Sequence, residues 1–451
     1  MENTSHSFFD RLNQWIKNSV MVKLLSMGIL ILLLLIPSEM VQSLINERQQ
    51  THDSALDEIS SKWGFEQHLS GPVINVPYQS FFVDADGKRK SQIQYAHFLP
   101  EELKIAGTLE PEMRHRGIYE AVVYKSDVSL KGYFHFPDFS EWNIAPADIM
   151  WKETTLSLGI SDLRGIKQRL TIKLNGNAIE FNPGVENNDV HESGVSIRLP
   201  IADSLDKPDF KFDMSFKLNG SKEMYFMPLG KETTVNIKSN WTNPSFDGAF
   251  LPDTHHITDK GFDAEWKIFH LNRNYGQKFR GVPTGLNEST FGVKLLIPVD
   301  NYQKTYRSAK YAILLITLSF TLFFFIEVLN RKRIHPFQYI LVGVALCLFY
   351  TLLLSVSEYI SFNLSYLLSA AAIILLISLY AKTVFNNLRL ALLFSLVLII
   401  LYVFVFSIIQ LQDYALLLGS IGLFIVLALV MYLVAKVKRW QLAICFLKGI
   451  R

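Results

Sequence analysis

Asp253, His255, His256, Asp259, Asp263 and His270 place three carboxylates and three imidazoles within one short stretch. Zinc accepts imidazole and harder cations accept carboxylate, so this is the densest group of potential metal ligands in the chain. A solvated loop is the simpler account of it, and no metal is expected. Arg114, His115 and Arg116 form a small basic patch that could meet anionic lipid headgroups or a cell-wall polymer. Three residues are a weak electrostatic target, and an exposed turn explains them as well. Glu327 is the remaining candidate, a carboxylate inside an otherwise apolar run, where ionisable groups usually mark pathways. It stands four residues before Arg331, so an i,i+4 ion pair at the membrane interface is the competing explanation.

Other chemistry is missing from the sequence. Gly230-Lys231 lacks the glycine five residues earlier that a phosphate-cradling loop needs, because Tyr225 stands there. There is no Gly-x-Ser-x-Gly elbow and no His-Glu-x-x-His helix. No enzymatic activity and no cofactor are therefore expected.

The elements around these residues are ordered by Tyr311 to Ser357. Tyr311 to Leu329 has Glu327 as its only ionisable side chain and is long enough to cross ~30 Å of hydrocarbon as a helix. After Asn330 to Pro336 a second apolar run, Phe337 to Ser357, must return antiparallel to the first. Arg331, Lys332 and Arg333 at the tip of this hairpin set the topology, because short basic loops stay in the cytoplasm.

That orientation extends to the whole chain. Residues 1–19 read as a cytoplasmic amphipathic lead-in, with Phe8, Phe9, Leu12, Trp15 and Ile16 at helical spacing. Residues 20–45 read as an uncleaved signal anchor whose outer end is disturbed by Pro37 and Glu39. Further spans are expected at 311–329, 337–357, 364–381, 390–409 and 414–435, with a cytoplasmic tail over 436–451. Every inward loop has at least two Lys or Arg and the short outward turns have none. The charge rule thus places both termini in the cytoplasm and residues 46–310 outside it, in the periplasm of a Gram-negative cell.

Residues 46–63 continue a helical period as a stalk that Gly64 can end. Beyond it lie short β-branched and aromatic runs, several alternating with period two, as in Phe210-Lys211-Phe212-Asp213-Met214-Ser215-Phe216. Asp86-Gly87, Asn175-Gly176 and Asn219-Gly220 read as hairpin turns. Asp300 with Gln303 reads as a helix cap ahead of the second span. The expected fold is a polytopic α-helical membrane protein with a large all-β, antiparallel, sandwich-like domain between helices 1 and 2.

Residues 46–310 carry 31 Lys and Arg against 35 Asp and Glu, a mixed and slightly acidic surface that argues against nucleic acid as a partner. The stretch contains no cysteine, so its stability must come from its own core.

The hairpin Arg331-Lys332-Arg333-Ile334-His335-Pro336-Phe337-Gln338-Tyr339, continuing to Leu346-Cys347-Leu348-Phe349-Tyr350, resembles the CreD family of bacterial inner-membrane proteins. Arg116-Gly117-Ile118-Tyr119, Pro228 to Val235, Pro244 to Pro252 and Leu271-Asn272-Arg273-Asn274-Tyr275 are similar to that family too. The resemblance implies a cell-envelope integrity protein linked to a carbon-source-responsive two-component regulon, to colicin tolerance and to β-lactam stress. It implies no catalytic residue. The expected function is non-enzymatic: the periplasmic domain binds or senses an envelope protein, lipid or cell-wall component while the helices hold it in the lipid bilayer. The alternative is a transporter or lipid-handling protein with Glu327 as a coupling carboxylate.

Overall fold

The computed structural model describes residues 20–448 apart from 85, 200, 202–207, 298–300, 331–333, 412 and 413. The amphipathic lead-in, the cap at Asp300 and the basic tip Arg331-Lys332-Arg333 lie outside the described residues. Two compact units divide the chain, His52–Pro298 and the remainder.

The helices are α1 (Val20–Trp63), α2 (Asn301–Lys310), α3 (Ala312–Leu329), α4 (Pro336–Ser357), α5 (Phe362–Phe385), α6 (Leu388–Gln410) and α7 (Ala415–Lys448). Six of them are long and apolar enough to cross a membrane; the short polar α2 is the exception. Anchor and stalk form one continuous helix that runs through Pro37. The proline costs one intrahelical hydrogen bond but does not end α1.

α3 to α6 share an aliphatic core with aromatic rings packed through it. Phe323 meets Phe394 edge-on at 4.6 Å between centroids, and Phe349 meets Tyr402 at 4.8 Å. Leu34, Val41 and Ile45 of α1 are buried in this same core. Gly343 on α4 gives Leu34 its place, since a Cβ there would come within 2.1 Å of the Leu34 Cδ1.

The other unit is built of β1 (Gln67–Val83), β2 (Arg89–Phe98), β3 (Glu102–Arg116), β4 (Tyr119–Phe134), β5 (Thr155–Ile160), β6 (Thr171–Leu174), β7 (Asn177–Glu180), β8 (Asn182–Pro183) and β9 (Gly194–Arg198). It continues with β10 (Phe210–Ser221), β11 (Glu223–Phe226), β12 (Glu232–Ser239), β13 (Pro244–Gly248), β14 (Thr254–Thr258), β15 (Gly261–Phe269), β16 (Lys278–Arg280) and β17 (Phe291–Leu295). One sheet has the order β13-β17-β11-β1-β5-β9-β8, with β2 and β16 added through β1; the other runs β14-β15-β12-β3-β4-β10-β6-β7. Pairing is antiparallel except between β1 and β11 and between β3 and β12, which are parallel.

Alternation decides which face of each strand is covered. In β10 Phe212, Met214, Phe216 and Leu218 are buried while Lys211, Asp213, Ser215 and Lys217 are exposed. Each side chain of the first kind contributes ~1.5–3 kcal/mol of burial. Residues of both sheets belong to one hydrophobic core, which makes the unit a sandwich.

One expected turn is corrected. Asn219 and Gly220 lie inside β10, paired with Lys125 and Tyr124 of β4, and the chain turns instead at Lys222, whose φ is 59°. Gly220 answers a packing need: a Cβ would stand 2.3 Å from the Tyr124 hydroxyl. Asn175-Gly176 does form a turn, with both residues at positive φ, so the shared Lys-Leu-Asn-Gly tetrapeptide has two different structural fates.

Candidate functional site

The β unit carries a cleft of about 680 Å³ whose floor is β1 and β5 and whose walls include the segments around residues 188–193 and 282–290. β1 breaks register against β5 between Ser70 and Val73, and Gly71 takes a φ of 109° there. A bulge of this kind re-aims the side chain beside it. The Ser70 hydroxyl meets Nδ1 of His191 at 2.8 Å. Gly159 on β5 makes the meeting fit, since a Cβ there would stand 2.2 Å from Ser70 Oγ and 2.6 Å from His191 Nδ1.

His191 is 4% exposed and its Nε2 has no hydrogen-bond partner among the described residues. Burial, with the neighbouring His97 as the second cause, pushes its imidazole from the ordinary 6.5 down to about 3. The ring therefore stays neutral and holds a proton poorly.

A second buried chain reaches the same cleft. Asn75 Nδ2 donates to Ser157 Oγ at 2.8 Å, His97 Nδ1 lies 2.8 Å from Asn75 Oδ1, and His97 Nε2 lies 3.0 Å from Asp189 Oδ2. Burial lowers the His97 imidazole too, against the opposing pull of Asp189. The Asp189 side chain, 27% exposed, is the end of this chain that lines the cleft.

Glu192 and Glu288 join Asp189 along the lining, and neither Lys nor Arg is among the described lining residues. Leu69, Ile160, Phe226, Met227 and Leu286 supply the apolar part. Such a surface suits a ligand that offers hydrogen-bond donors or a cation beside an apolar group. Acyl transfer is poorly served. A base needs a pKa near the working pH, whereas burial holds His191 well below it, and among the described residues no group orients its second nitrogen.

The residues marked by type and spacing are elsewhere. β14, with His255 and His256, is exposed along its length, Asp253 accepts from the Lys267 amide, and Asp263 pairs with Lys238 at 2.8 Å. Among the described residues no three His, Cys, Asp or Glu side chains gather as a metal site. The charges of the basic patch are matched: Arg114 pairs with Glu112 at 2.6 Å, His115 lies 3.5 Å from Glu120, and Arg116 pairs with Glu58. Arg114 also lies 4.7 Å over the Trp63 ring, whose Nε1 donates to the Tyr124 carbonyl. These arginines fasten the last turns of α1 to the β3–β4 hairpin.

Glu327 is 3% exposed in the helical unit. Its Oε1 accepts from Lys23 Nζ at 2.5 Å and its Oε2 from the Tyr339 hydroxyl at 2.9 Å. The local pairing expected with Arg331 falls outside the described residues; the described partners come from α1 and α4.

The profile of a family described as inner membrane protein CreD matches residues 19–441. The chain belongs to the CreD family. It is 32% identical to the inner membrane protein CreD of Escherichia coli (strain K12) over 440 residues, which cover 96% of this chain and 97% of that protein. This is an inner-membrane family, in keeping with the six apolar helices.

Sequence reasoning missed the cleft of this CreD family member altogether. Ser70, Asn75, His97, Asp189 and His191 are spread over a separation of 121 positions and follow no known spacing. The available signal was polarity out of place: Asn75 inside Val73-Ile74-Asn75-Val76, and His97 between Ala96 and Phe98. A strand that buries a polar side chain must satisfy it or leave it for a ligand.

Proposed function

We propose that this protein supports cell-envelope integrity without being an enzyme, its β domain facing the periplasm and binding an envelope component in the cleft floored by β1 and β5. The observation that carries the reading is His191, almost fully buried at the cleft with one ring nitrogen unpaired among the described residues. An orphaned buried polar atom costs roughly 1–3 kcal/mol, which a bound hydrogen-bonding group would recover. The carboxylates Asp189, Glu192 and Glu288 favour a lipid or cell-wall component that carries an amine or several hydroxyls. A transport reading draws less support, because both Glu327 oxygens are engaged by Lys23 and Tyr339.

The test is complementation of an envelope-stress phenotype in cells lacking the protein. Glu192→Lys with Glu288→Lys should abolish complementation at unchanged protein level, whereas Asp253→Lys on the distant exposed loop should not. Full complementation by the cleft double variant removes the proposed site.

A further inference from the structure

The helical unit holds a second cavity, of about 630 Å³, between α1, α3 and the start of α4. Its apolar lining is Val22, Met27, Leu30, Phe324 and Ile334, and its polar lining includes Lys23, Glu327, His335 and Tyr339. All three helices are apolar enough to cross a membrane, which makes lipid the ligand class to consider for this cavity.

The two members of the ion pair at the polar end differ in exposure. The Glu327 side chain is 4% exposed and has both oxygens occupied, while the Lys23 side chain is 34% exposed. An ammonium has three N–H donors and Lys23 spends one on Glu327. His335 caps α4, its Nδ1 accepting from the Phe337 amide at 3.3 Å. With Nδ1 accepting, the ring's hydrogen is on Nε2, which adds a donor. Among the described residues, what the cavity offers a ligand is thus the more exposed, ammonium end of an ion pair, with N–H donors to spare, beside an apolar wall.

We propose that this cavity binds one membrane phospholipid, its phosphate on Lys23 and His335 and its upper acyl chains along Val22, Met27, Leu30 and Phe324. Phosphate esters are the anionic, acceptor-only groups of a bilayer, and Lys binds them as a point charge. Glu327 and Tyr339 act by position. Tyr339 fixes the Glu327 carboxylate, and the carboxylate fixes the Lys23 amine so that its remaining donors face the ligand.

The experiment uses the full chain, delipidated in detergent and titrated with phosphatidylglycerol under native mass spectrometry. One tightly retained phosphatidylglycerol per chain is expected, with diacylglycerol of the same acyl chains not retained. Lys23→Met combined with Glu327→Gln removes both charges while nearly preserving side-chain length, and should reduce retention about fivefold. Lys23→Arg, which keeps the charge, should retain the lipid and serves as a second reading if the double variant folds poorly. Equal retention of diacylglycerol overturns the proposal. So does unchanged retention in a folded double variant, or displacement of the lipid by millimolar inorganic phosphate alone, which would mark a phosphate site with no lipid component.

Discussion

Ser70 Oγ and His191 Nδ1 stand 2.8 Å apart at the floor of the cleft, and the far nitrogen of the same imidazole has no partner among the described residues. The pair links the register break in β1 to the segment that leads into β9. A residue 121 positions away is thereby fixed over a strand whose own glycine leaves the room. Half of the ring's hydrogen-bonding capacity is structural and the other half is buried without a partner among the described residues.

The first prediction follows from burial of that ring. His191 is held down at about 3 by burial and then by His97, whereas in the unfolded chain it titrates near the ordinary 6.5. Between those values the unfolded state binds the proton and the folded state does not, so stability is intact above 6.5 and falls as pH drops through this window. The slope is about 1.4 kcal/mol per pH unit for one such group. His97, lowered by burial, adds with the same sign. Urea unfolding of the full-length protein in detergent, followed by tryptophan fluorescence from pH 7 to pH 4.5, should show the loss, and His191→Asn should flatten it. An identical slope in the variant contradicts the assignment.

Gly159→Ala tests the packing directly. The new methyl group would overlap Ser70 Oγ and the His191 ring, so one of them must move. Overpacking of this kind should cost about 1–3 kcal/mol. Hydrogen exchange should report it as faster exchange along β5 and its neighbours β1 and β9, with β14 unaffected. Uniform exchange rates across the unit would show that the ring can swing away at no cost.

Much of the architecture was legible because it follows from periodicity. The alternation in Phe210 to Leu218 could only be a half-buried strand, and the apolar runs after Tyr311 were too long for anything but membrane helices. Asn219-Gly220 misled because the dipeptide states what the backbone is able to do, while the Tyr124 side chain, far off in sequence, decides what it does. The cleft was illegible for the same reason. Its residues come from β1, β2, β5 and a connecting segment, and only the sheet order brings them together. Glu327 stood out by burial in an apolar run, yet its partner Lys23 is 304 residues away, beyond any local pairing rule.

The proposed orientation, with residues 46–310 in the periplasm, rests on Arg331, Lys332 and Arg333. Alkaline phosphatase fused after Asn240 should be active, and fused after Lys332 inactive, with a cytoplasmic reporter giving the reverse pattern. Replacing all three cations by Gln should raise phosphatase activity at the 332 fusion. Activity there with the native cations in place would turn the topology over.

The last prediction concerns the ion pair that joins α1 to the helical block. Glu327→Ala leaves Lys23 without its described counter-ion and the Tyr339 hydroxyl without its acceptor. Removing one member of a buried pair strands the other, and a cost of about 3 kcal/mol is expected, reduced to the extent that the Lys23 side chain reaches solvent or headgroups. Glu327→Gln, which still accepts from Tyr339, should lose less. Lys23→Ala with Glu327→Ala should be less damaging than the sum of the single changes, because neither charge is then left alone. Thermal unfolding of the four variants in one detergent reads all three comparisons, and strictly additive losses would show that the two side chains do not act as a pair.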